Sequence, residues 1–408
     1  MNVLIVSQYF WPESFRINDI AKSMQLKGIG VEVLTGKPNY PAGDIYDGYK
    51  AWGCQQEQFE SITLHRIPLI PRGKRTFLLA LNYLSFIFFG LLLAPWKLRK
   101  QRYDAIFVYG ISPILQAIPA LLIGWIKGVP VVIWVQDLWP QSLSATGYIH
   151  NSLVLNLVEK VVRFIYRKAD LLLVQSRAFE EPVTTMSSGT PVLYYPNAAD
   201  DVLAQTSETS SNPIAGLDEG FSVMFAGNIG KAQAVEVIVE AATILRDHQD
   251  IHFVVLGDGS CRDMMLKEVE ARGLTNLHLP GRFPVESMPG FMQKASALLV
   301  TLANQTIFAA TVPNKIQAYM AAGRPILACL DGEGARLVNE ANAGLCVPAE
   351  DAVALAKAVI ELYKMPEEGR DQLGANGRQY YKENFNHDKL VDDLIVKLQL
   401  ASRQYKGE

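Results

Sequence analysis

NVLIVSQYFWPESFRINDIAKSMQLKGIGVEVLT, residues 2–35, reads as a strand, a loop, a helix and a second strand. Asn2–Ser7 and Val31–Thr35 are apolar on both faces and rich in β-branched residues, the pattern of strands covered on both sides. Between them, Phe15–Gly28 is amphipathic at helical spacing. The same rhythm runs on through Ile62–Ile67, Asp104–Tyr109, Val129–Val135 and Asp170–Gln175, with an amphipathic stretch at Ser152–Lys168. Such alternation predicts a parallel sheet with helices on both faces.

The rhythm breaks at Ala204–Gly216, AQTSETSSNPIAG, which is small, polar and turn-forming and reads as an interdomain linker or a long loop beside one. It restarts at Phe221–Phe225 and continues through Ile251–Leu256, Asn276–Leu279, Ala297–Val300 and Pro325–Cys329 before ending in helices. The expected fold class is α/β, with two Rossmann-like doubly wound domains facing across a cleft, because ligands of such sheets bind outside the carboxyl ends of the strands. The expected domains are 1–196 and 220–385, joined by a linker at 197–219. A C-terminal helix at 386–408 is a candidate to cross back to the first domain.

A chain of 408 residues is too long for one ordinary core. Hydrophobic residues at 49 % and charged residues at 19 % describe a globular protein, somewhat greasier than average. A net charge of −3 lacks the basic footprint of a nucleic-acid binder. Cys54, Cys261, Cys329 and Cys346 have no CxxC or metal spacing and read as thiols in a reducing compartment, and the six histidines show no metal spacing either. The opening MNVLIVSQYF reads as a first strand and not as a signal peptide, so the chain is expected in the cytoplasm.

Phe77–Trp96, FLLALNYLSFIFFGLLLAPW, carries no charge and is long enough to cross a bilayer core. Arg72, Lys74 and Arg75 precede it, and Lys97, Arg99, Lys100 and Arg102 follow. A true span would place parts of one sheet on opposite sides of the membrane. A buried core helix is the plain alternative. Bases at both ends, with aromatics and an Asn inside, favour a helix lying in the interface of an anionic membrane surface.

Two stretches have the chemistry of a phosphate site. In Ala309–Pro325, AATVPNKIQAYMAAGRP, Thr311 is placed to cap a helix, Pro313 suits its first turn and Gly323 its end. The start of that helix offers N–H groups and a positive dipole end, to which Lys315 adds a full charge; an ordinary capped helix is the alternative. In Phe225–Gln233, FAGNIGKAQ, Gly227 and Gly230 let a diphosphate approach the backbone, and Lys231 opens the next helix. In the first half, Glu13 is a candidate to bind or deprotonate an acceptor hydroxyl and Arg16 to meet an acceptor phosphate, with a solvated first-turn pair as the alternative. Lys37, Asn39 and Tyr40 follow the next strand on the same rim.

The order FAGN, VVLGDGSCRDMM (Val254–Met265), HLPGRFP (His278–Pro284) and VPNKIQAYMAAGRPILA resembles glycosyltransferase family 4, retaining enzymes of the GT-B fold. SQYFWPESFRIND, TGKPNYPAG at Thr35–Gly43 and WVQDLWPQS at Trp134–Ser142 resemble a narrower branch, the WcaI/WbuB-like bacterial polysaccharide and O-antigen transferases, nearest to WbuB-type N-acetylfucosaminyltransferases. The resemblance implies a donor bound mainly by the C-terminal domain and an acceptor bound mainly by the N-terminal one. It puts Gly227 and Asn228 at the diphosphate, Lys231 or Gln233 near the family's basic residue, Arg282 and Phe283 beside the base, and the N–H groups of Thr311, Val312 and Asn314 toward the phosphates. Gln136 and Asp137 stand where the family often has His-Asp, with a helix cap as the alternative for the carboxylate.

The family's two glutamates, eight apart, correspond here to Ala310 and Ala318, which leaves Gln317 and Lys315 as polar substitutes. The expected chemistry thus rests on Glu13, Asp137, Lys231 and Lys315, with no metal cofactor, since a DxD pair is absent. The expected donor is a UDP-sugar, N-acetylated and 6-deoxy such as N-acetylfucosamine. The expected acceptor is linked to undecaprenyl diphosphate at the cytoplasmic face of the bacterial inner membrane, in O-antigen, lipopolysaccharide or capsule synthesis. A nucleotide-sugar 2-epimerase on the same scaffold and a non-catalytic assembly partner are the competing readings.

Overall fold

The computed structural model describes residues 1–408 except 74, 146–150, 200–212 and 408. It divides into two units: Met1–Pro196 with Asp388–Glu408, and Asn197–His387.

The first unit runs β1 (Asn2–Val6), α1 (Arg16–Leu26), β2 (Gly30–Thr35), β3 (Gln55–Phe59), β4 (Ile62–Arg66), α2 (Thr76–Lys97), β5 (Ala105–Gly110) and α3 (Ala117–Lys127). It continues with β6 (Val131–Val135), α4 (Gln141–Ala145), α5 (Ser152–Lys168), β7 (Leu171–Val174), α6 (Glu180–Ser187) and β8 (Val192–Tyr194). The eight strands lie in the order β3-β4-β2-β1-β5-β6-β7-β8. All pairs are parallel except β3 with β4. β5 and β6 are buried at every position, because helices cover both faces and demand apolar residues on each. β3, QQEQF, escapes the sequence pattern because an edge strand with one open face needs no apolar run.

The second unit runs β9 (Phe221–Asn228), α7 (Glu236–Ile244), β10 (Ile251–Asp258), α8 (Arg262–Arg272), β11 (Leu277–Gly281), α9 (Met288–Lys294), β12 (Ala297–Thr301) and α10 (Thr306–Ala310). Then come α11 (Asn314–Ala322), β13 (Ile326–Cys329), α12 (Glu333–Glu340), β14 (Gly344–Val347), α13 (Ala352–Lys364) and α14 (Glu367–Asn384). Its six strands are all parallel, in the order β11-β10-β9-β12-β13-β14. In each sheet the chain reverses its direction of winding beside the first strand, β1 or β9. The loops leaving those strands therefore sit at the switch points where ligands of such sheets bind.

The stretch expected as a linker, 197–219, packs at its described ends: Ala199, Ile214 and Leu217 are buried in the core of the second unit, while 200–212 lie outside the described residues. The last helix, α15 (His387–Lys406), returns to the first unit. Its Val391, Leu394 and Leu398 share a core with Ile17, Ile20 and Met24 of α1, and the Leu390 carbonyl accepts the Tyr195 hydroxyl at 2.9 Å. Burying each of those three side chains is worth about 1.5–3 kcal/mol, enough to hold the helix there.

α2 is long and apolar enough to cross a membrane, yet it is the crossover between β4 and β5 of one sheet, which the spanning alternative would tear apart. The core-helix alternative fails for a different reason. Among the described residues only one side of α2 is covered, and Phe88 and Trp96 on the other side are 60 % and 62 % exposed.

Candidate functional site

The second unit builds a cradle from three glycines. β9 and β10 pair in register up to Gly227 against Gly257 and Asn228 against Asp258. Gly227, Gly257 and Gly259 have φ of +137°, +146° and +155°, a region where side chains are strained. A β-carbon on Gly257 would come within 1.9 Å of the Gly227 carbonyl oxygen, and one on Gly259 within 2.4 Å of that of Ile229. Only glycine lets these two strand ends close up.

Lys315 lies over the cradle. It sits in the first turn of α11, and a β-carbon on Gly227 would meet its Cε at 2.7 Å. Its ammonium donates to Gln233 Oε1 at 2.5 Å and stands 3.6 Å from the centre of the Phe225 ring. Desolvation alone pulls its pKa down to about 7. The helix is fixed to β9 by Tyr319, whose hydroxyl accepts the Ala226 N–H at 3.0 Å. Beside the cradle opens a cavity of about 410 Å³, whose lining includes Gly227, Asn228, Asp258, Arg282, Phe283 and Met288. Phe283 stands edge-on to Phe291, 5.0 Å between ring centres, so its position is held from behind. A glycine floor, one apolar wall and a few polar groups suit a nucleoside diphosphate.

Four sequence expectations for this unit change. Thr311 does not cap α11: its hydroxyl and N–H turn back to the carbonyls of Ile307 and Phe308, at 2.8 and 3.1 Å, and the cap position is Pro313. Thr311 therefore has no N–H to offer a phosphate. Gln317 is fully buried with its amide on the Pro313 and Asn314 carbonyls, so Gln317 faces no donor, whereas the buried side chain of Val312 leaves the expectation for its N–H untouched. Gly230 has an ordinary extended φ of −124°, leaving Gly227 as the glycine whose conformation matters in FAGNIG. Asn314 opens α11 and is exposed, as is Lys231 in the single 3₁₀ turn Lys231–Gln233. Asp258, quoted in the sequence motif but given no role, lines the cavity.

In the first unit the predicted residues follow β1, β2 and β6; cis prolyl bonds follow Trp11, Tyr40 and Trp139 in those loops and Ser112 in the loop after β5. Glu13 is not the solvated residue considered above. It is 1 % exposed; its Oε1 accepts the N–H groups of Asn39 and Tyr40, both at 2.7 Å, and its Oε2 that of Phe10 at 3.2 Å. Burial nevertheless raises its pKa to about 7. Glu13 ties two loops together.

Lys37 and Asn39, expected on the acceptor rim, are buried as well. Lys37 donates to Gln55 Oε1 at 2.9 Å and is held below its usual pKa by desolvation. Asn39 Oδ1 accepts the Arg72 N–H at 3.1 Å while its amide donates to the Lys37 carbonyl at 2.8 Å. Tyr40 remains accessible, tilted against the Tyr9 and Phe15 rings with the Arg72 guanidinium over its own. Arg16 opens α1 and is half-buried. Gln136 and Asp137 follow β6; Asp137 accepts the Ser112 hydroxyl at 2.8 Å and is pushed above the usual carboxylate range by burial. Trp139 donates in turn to the Ser112 oxygen at 3.0 Å.

Two family models divide the chain between them. The glycosyl transferase 4-like domain matches residues 14–198, and the glycosyl transferases group 1 model matches residues 220–365. The chain is similar to the probable glycosyltransferase WbjE of Pseudomonas aeruginosa, at 26 % identity over 78 % of this chain and 79 % of that protein. It is also similar to the putative colanic acid biosynthesis glycosyl transferase WcaI of Escherichia coli K12, at 23 % identity over 97 % of this chain and 99 % of that one. Among solved structures, sucrose-phosphate synthase from Thermosynechococcus elongatus matches with a TM-score of 0.69 at 17 % identity, covering 100 % of both chains. The Anabaena protein HepE, in complex with UDP, matches with a TM-score of 0.70 at 13 % identity, covering 98 % of this chain and 100 % of that one. At such identities the likeness is one of fold.

Proposed function

We propose that the chain, a glycosyltransferase of the GT-B fold, serves bacterial polysaccharide synthesis and moves a sugar, with retention, from a UDP-linked donor to a saccharide carried on undecaprenyl diphosphate. The observation that carries the donor half is the Gly227–Gly257 cradle with Lys315 over it. The diphosphate would lie on the cradle and the nucleoside in the cavity walled by Phe283 and Met288. As the glycosidic bond breaks, negative charge builds on the leaving diphosphate. Lys315, Lys231 and the dipole at the start of α11 would stabilise it, with no metal in the step. Asp258, which lines the cavity, would take a donor hydroxyl where the family's glutamates are missing.

On the first unit, Tyr40, Arg16 and Asp137 are the groups available to an acceptor. A lipid-linked acceptor places the enzyme at the cytoplasmic face of the inner membrane, which the uncovered side of α2 supports. N-acetylfucosamine is the sugar the sequence resemblance favours.

The test is a screen of nucleotide sugars by mass spectrometry with an undecaprenyl-diphosphate-linked N-acetylhexosamine as acceptor. Transfer from a UDP-N-acetylhexosamine is the expected result. Donor isomerised without acceptor would make the chain an epimerase, and donor bound but never turned over would make it an assembly partner.

A further inference from the structure

Two helices of the first unit present apolar side chains that no described residue covers. On α2, Phe77, Leu84, Phe88, Leu92 and Trp96 are exposed and recur at helical spacing along one stripe. The opposite stripe is cemented to the protein. Asn82 accepts the Gln8 amide and donates to the Ile70 carbonyl, both at 2.6 Å, while Ser85 accepts the Ile70 N–H at 2.9 Å and Phe86 is buried. A helix held this way on one side is free to meet only a surface.

α3 lies beside it. A β-carbon on Gly90 of α2 would come within 2.6 Å of Pro119 of α3, so the helices touch there. At the far end Lys127 donates to the carbonyls of Leu98 and Gln101, at 2.6 and 2.8 Å, and fixes the end of α3 against the end of α2. α3 is AIPALLIGWIK, with no polar residue before Lys127, and its outer Trp125 and Ile126 are 79 % and 49 % exposed. A surface helix normally shows solvent a polar face. This one shows tryptophan.

Charge identifies the occupant. Residues 72–127, which hold α2, α3 and their flanks, carry eight lysines and arginines against one acid, Asp104, in a chain whose net charge is −3. Asp104 itself accepts the Asn2 N–H at 2.8 Å and meets Lys406 at 3.6 Å. Arg75, Arg99, Lys100 and Arg102 are exposed around the ends of α2, and the Arg99 guanidinium lies 4.5 Å from the centre of a Trp96 ring. An apolar stripe with tryptophan among bases matches the boundary between headgroups and acyl chains of an anionic bilayer. A second copy on the same face would set basic rims against each other.

We propose that α2 and α3 together form one docking face for an anionic lipid surface, with Trp96 and Trp125 as its interfacial anchors. This rests on the membrane-linked acceptor proposed above and adds α3, which the sequence did not suggest. Docked this way, the enzyme would lie on the leaflet without crossing it.

The experiment is co-sedimentation of the full chain with phosphatidylcholine vesicles, with and without phosphatidylglycerol. Binding should require phosphatidylglycerol and fall as salt rises. Phe88→Glu and Trp125→Glu should each weaken it about tenfold or more. Leu26→Glu, at a comparably exposed leucine of α1, should leave it unchanged. Thermal melts and transfer to a short-chain soluble acceptor should be preserved in all three variants. If Trp125→Glu binds vesicles as the native chain does, α3 is not part of the face. If the lipid-free chain is a dimer that Trp125→Glu dissociates, the occupant is a second copy and the proposal fails. A native chain that ignores vesicles but transfers sugar would overturn the docking face alone, whereas vesicle binding without transfer would overturn the transferase reading alone.

Discussion

The Lys315 ammonium, 2.5 Å from Gln233 Oε1, carries its charge from α11 onto the turn that follows β9. The sequence resemblance puts a basic residue of the family near Lys231 or Gln233; here an amide receives that charge from another element. Lys315→Met should lower kcat at saturating donor by about 10²–10³, the usual loss for one preorganised group on a leaving charge. Steady-state kinetics with saturating donor checks this, and an unchanged kcat would remove Lys315 from the chemistry. The double variant Lys315→Met, Gln233→Lys should recover part of the loss, because the ammonium returns to nearly the same place.

Donor binding should also take up a proton. With its pKa near 7, Lys315 is mostly neutral at about pH 8 in the free enzyme, and a bound diphosphate favours the ammonium. Calorimetry of UDP binding in buffers of different ionisation enthalpy should show uptake approaching roughly one proton. In Lys315→Met that uptake should vanish. Equal uptake in both proteins would assign the proton to another group.

Gly227 and Gly257 should fail differently when changed to alanine. Both sit at positive φ, so either alanine should cost about 1–3 kcal/mol of backbone strain. At Gly227 the added carbon meets only the flexible end of Lys315, so Gly227→Ala should cost little beyond that strain while weakening UDP binding. At Gly257 it also overlaps backbone, so Gly257→Ala should destabilise the second unit clearly more than Gly227→Ala does. Denaturation and UDP titration on both variants separate the two effects.

Glu13 makes stability depend on pH. Its folded pKa, about 7, exceeds its unfolded value of 4.5, so the folded chain keeps a proton that the unfolded chain releases between them. That contribution is fully present below about pH 4.5 and is lost as pH rises through 7. Lys315, whose pKa is lowered, works in the opposite direction above 7. Subtracting the melting curve of Glu13→Gln from that of the native chain across this range isolates the Glu13 slope. A difference that does not vary with pH would mean that Glu13 is ionised throughout.

Tyr319→Phe should unfasten α11 from β9. It leaves the buried Ala226 N–H without its acceptor, at a cost of about 1–3 kcal/mol. UDP affinity should fall with it, since Lys315 rides on the same helix. Loss of stability with affinity intact would place the cradle's order elsewhere.

The central strands and the conformation of Gly227 were legible because their causes are local. A strand covered on both faces must be apolar at consecutive positions, and a backbone at φ +137° favours glycine. Glu13, Lys37 and Asn39 read as a solvated rim because their partners lie far away in sequence; Glu13 meets Asn39 across 26 residues. Gln317 and Thr311 misled for a related reason. Their side chains bond their own turns, and no spacing rule distinguishes that from reaching for a ligand. β3 was invisible because an edge strand carries no buried run, and Trp125 was passed over because a single exposed tryptophan has meaning only beside its neighbours.

The return of α15 to the first unit makes that unit discontinuous in sequence. A protein severed after Pro196 would keep α1 on its sheet but strip the core around Ile17, Ile20 and Met24 of Val391, Leu394 and Leu398. The first half of the chain is therefore not a portable module. Its last core residues emerge only after the whole second unit has been synthesised, so on the ribosome its hydrophobic core must wait, incomplete, for nearly two hundred residues to follow.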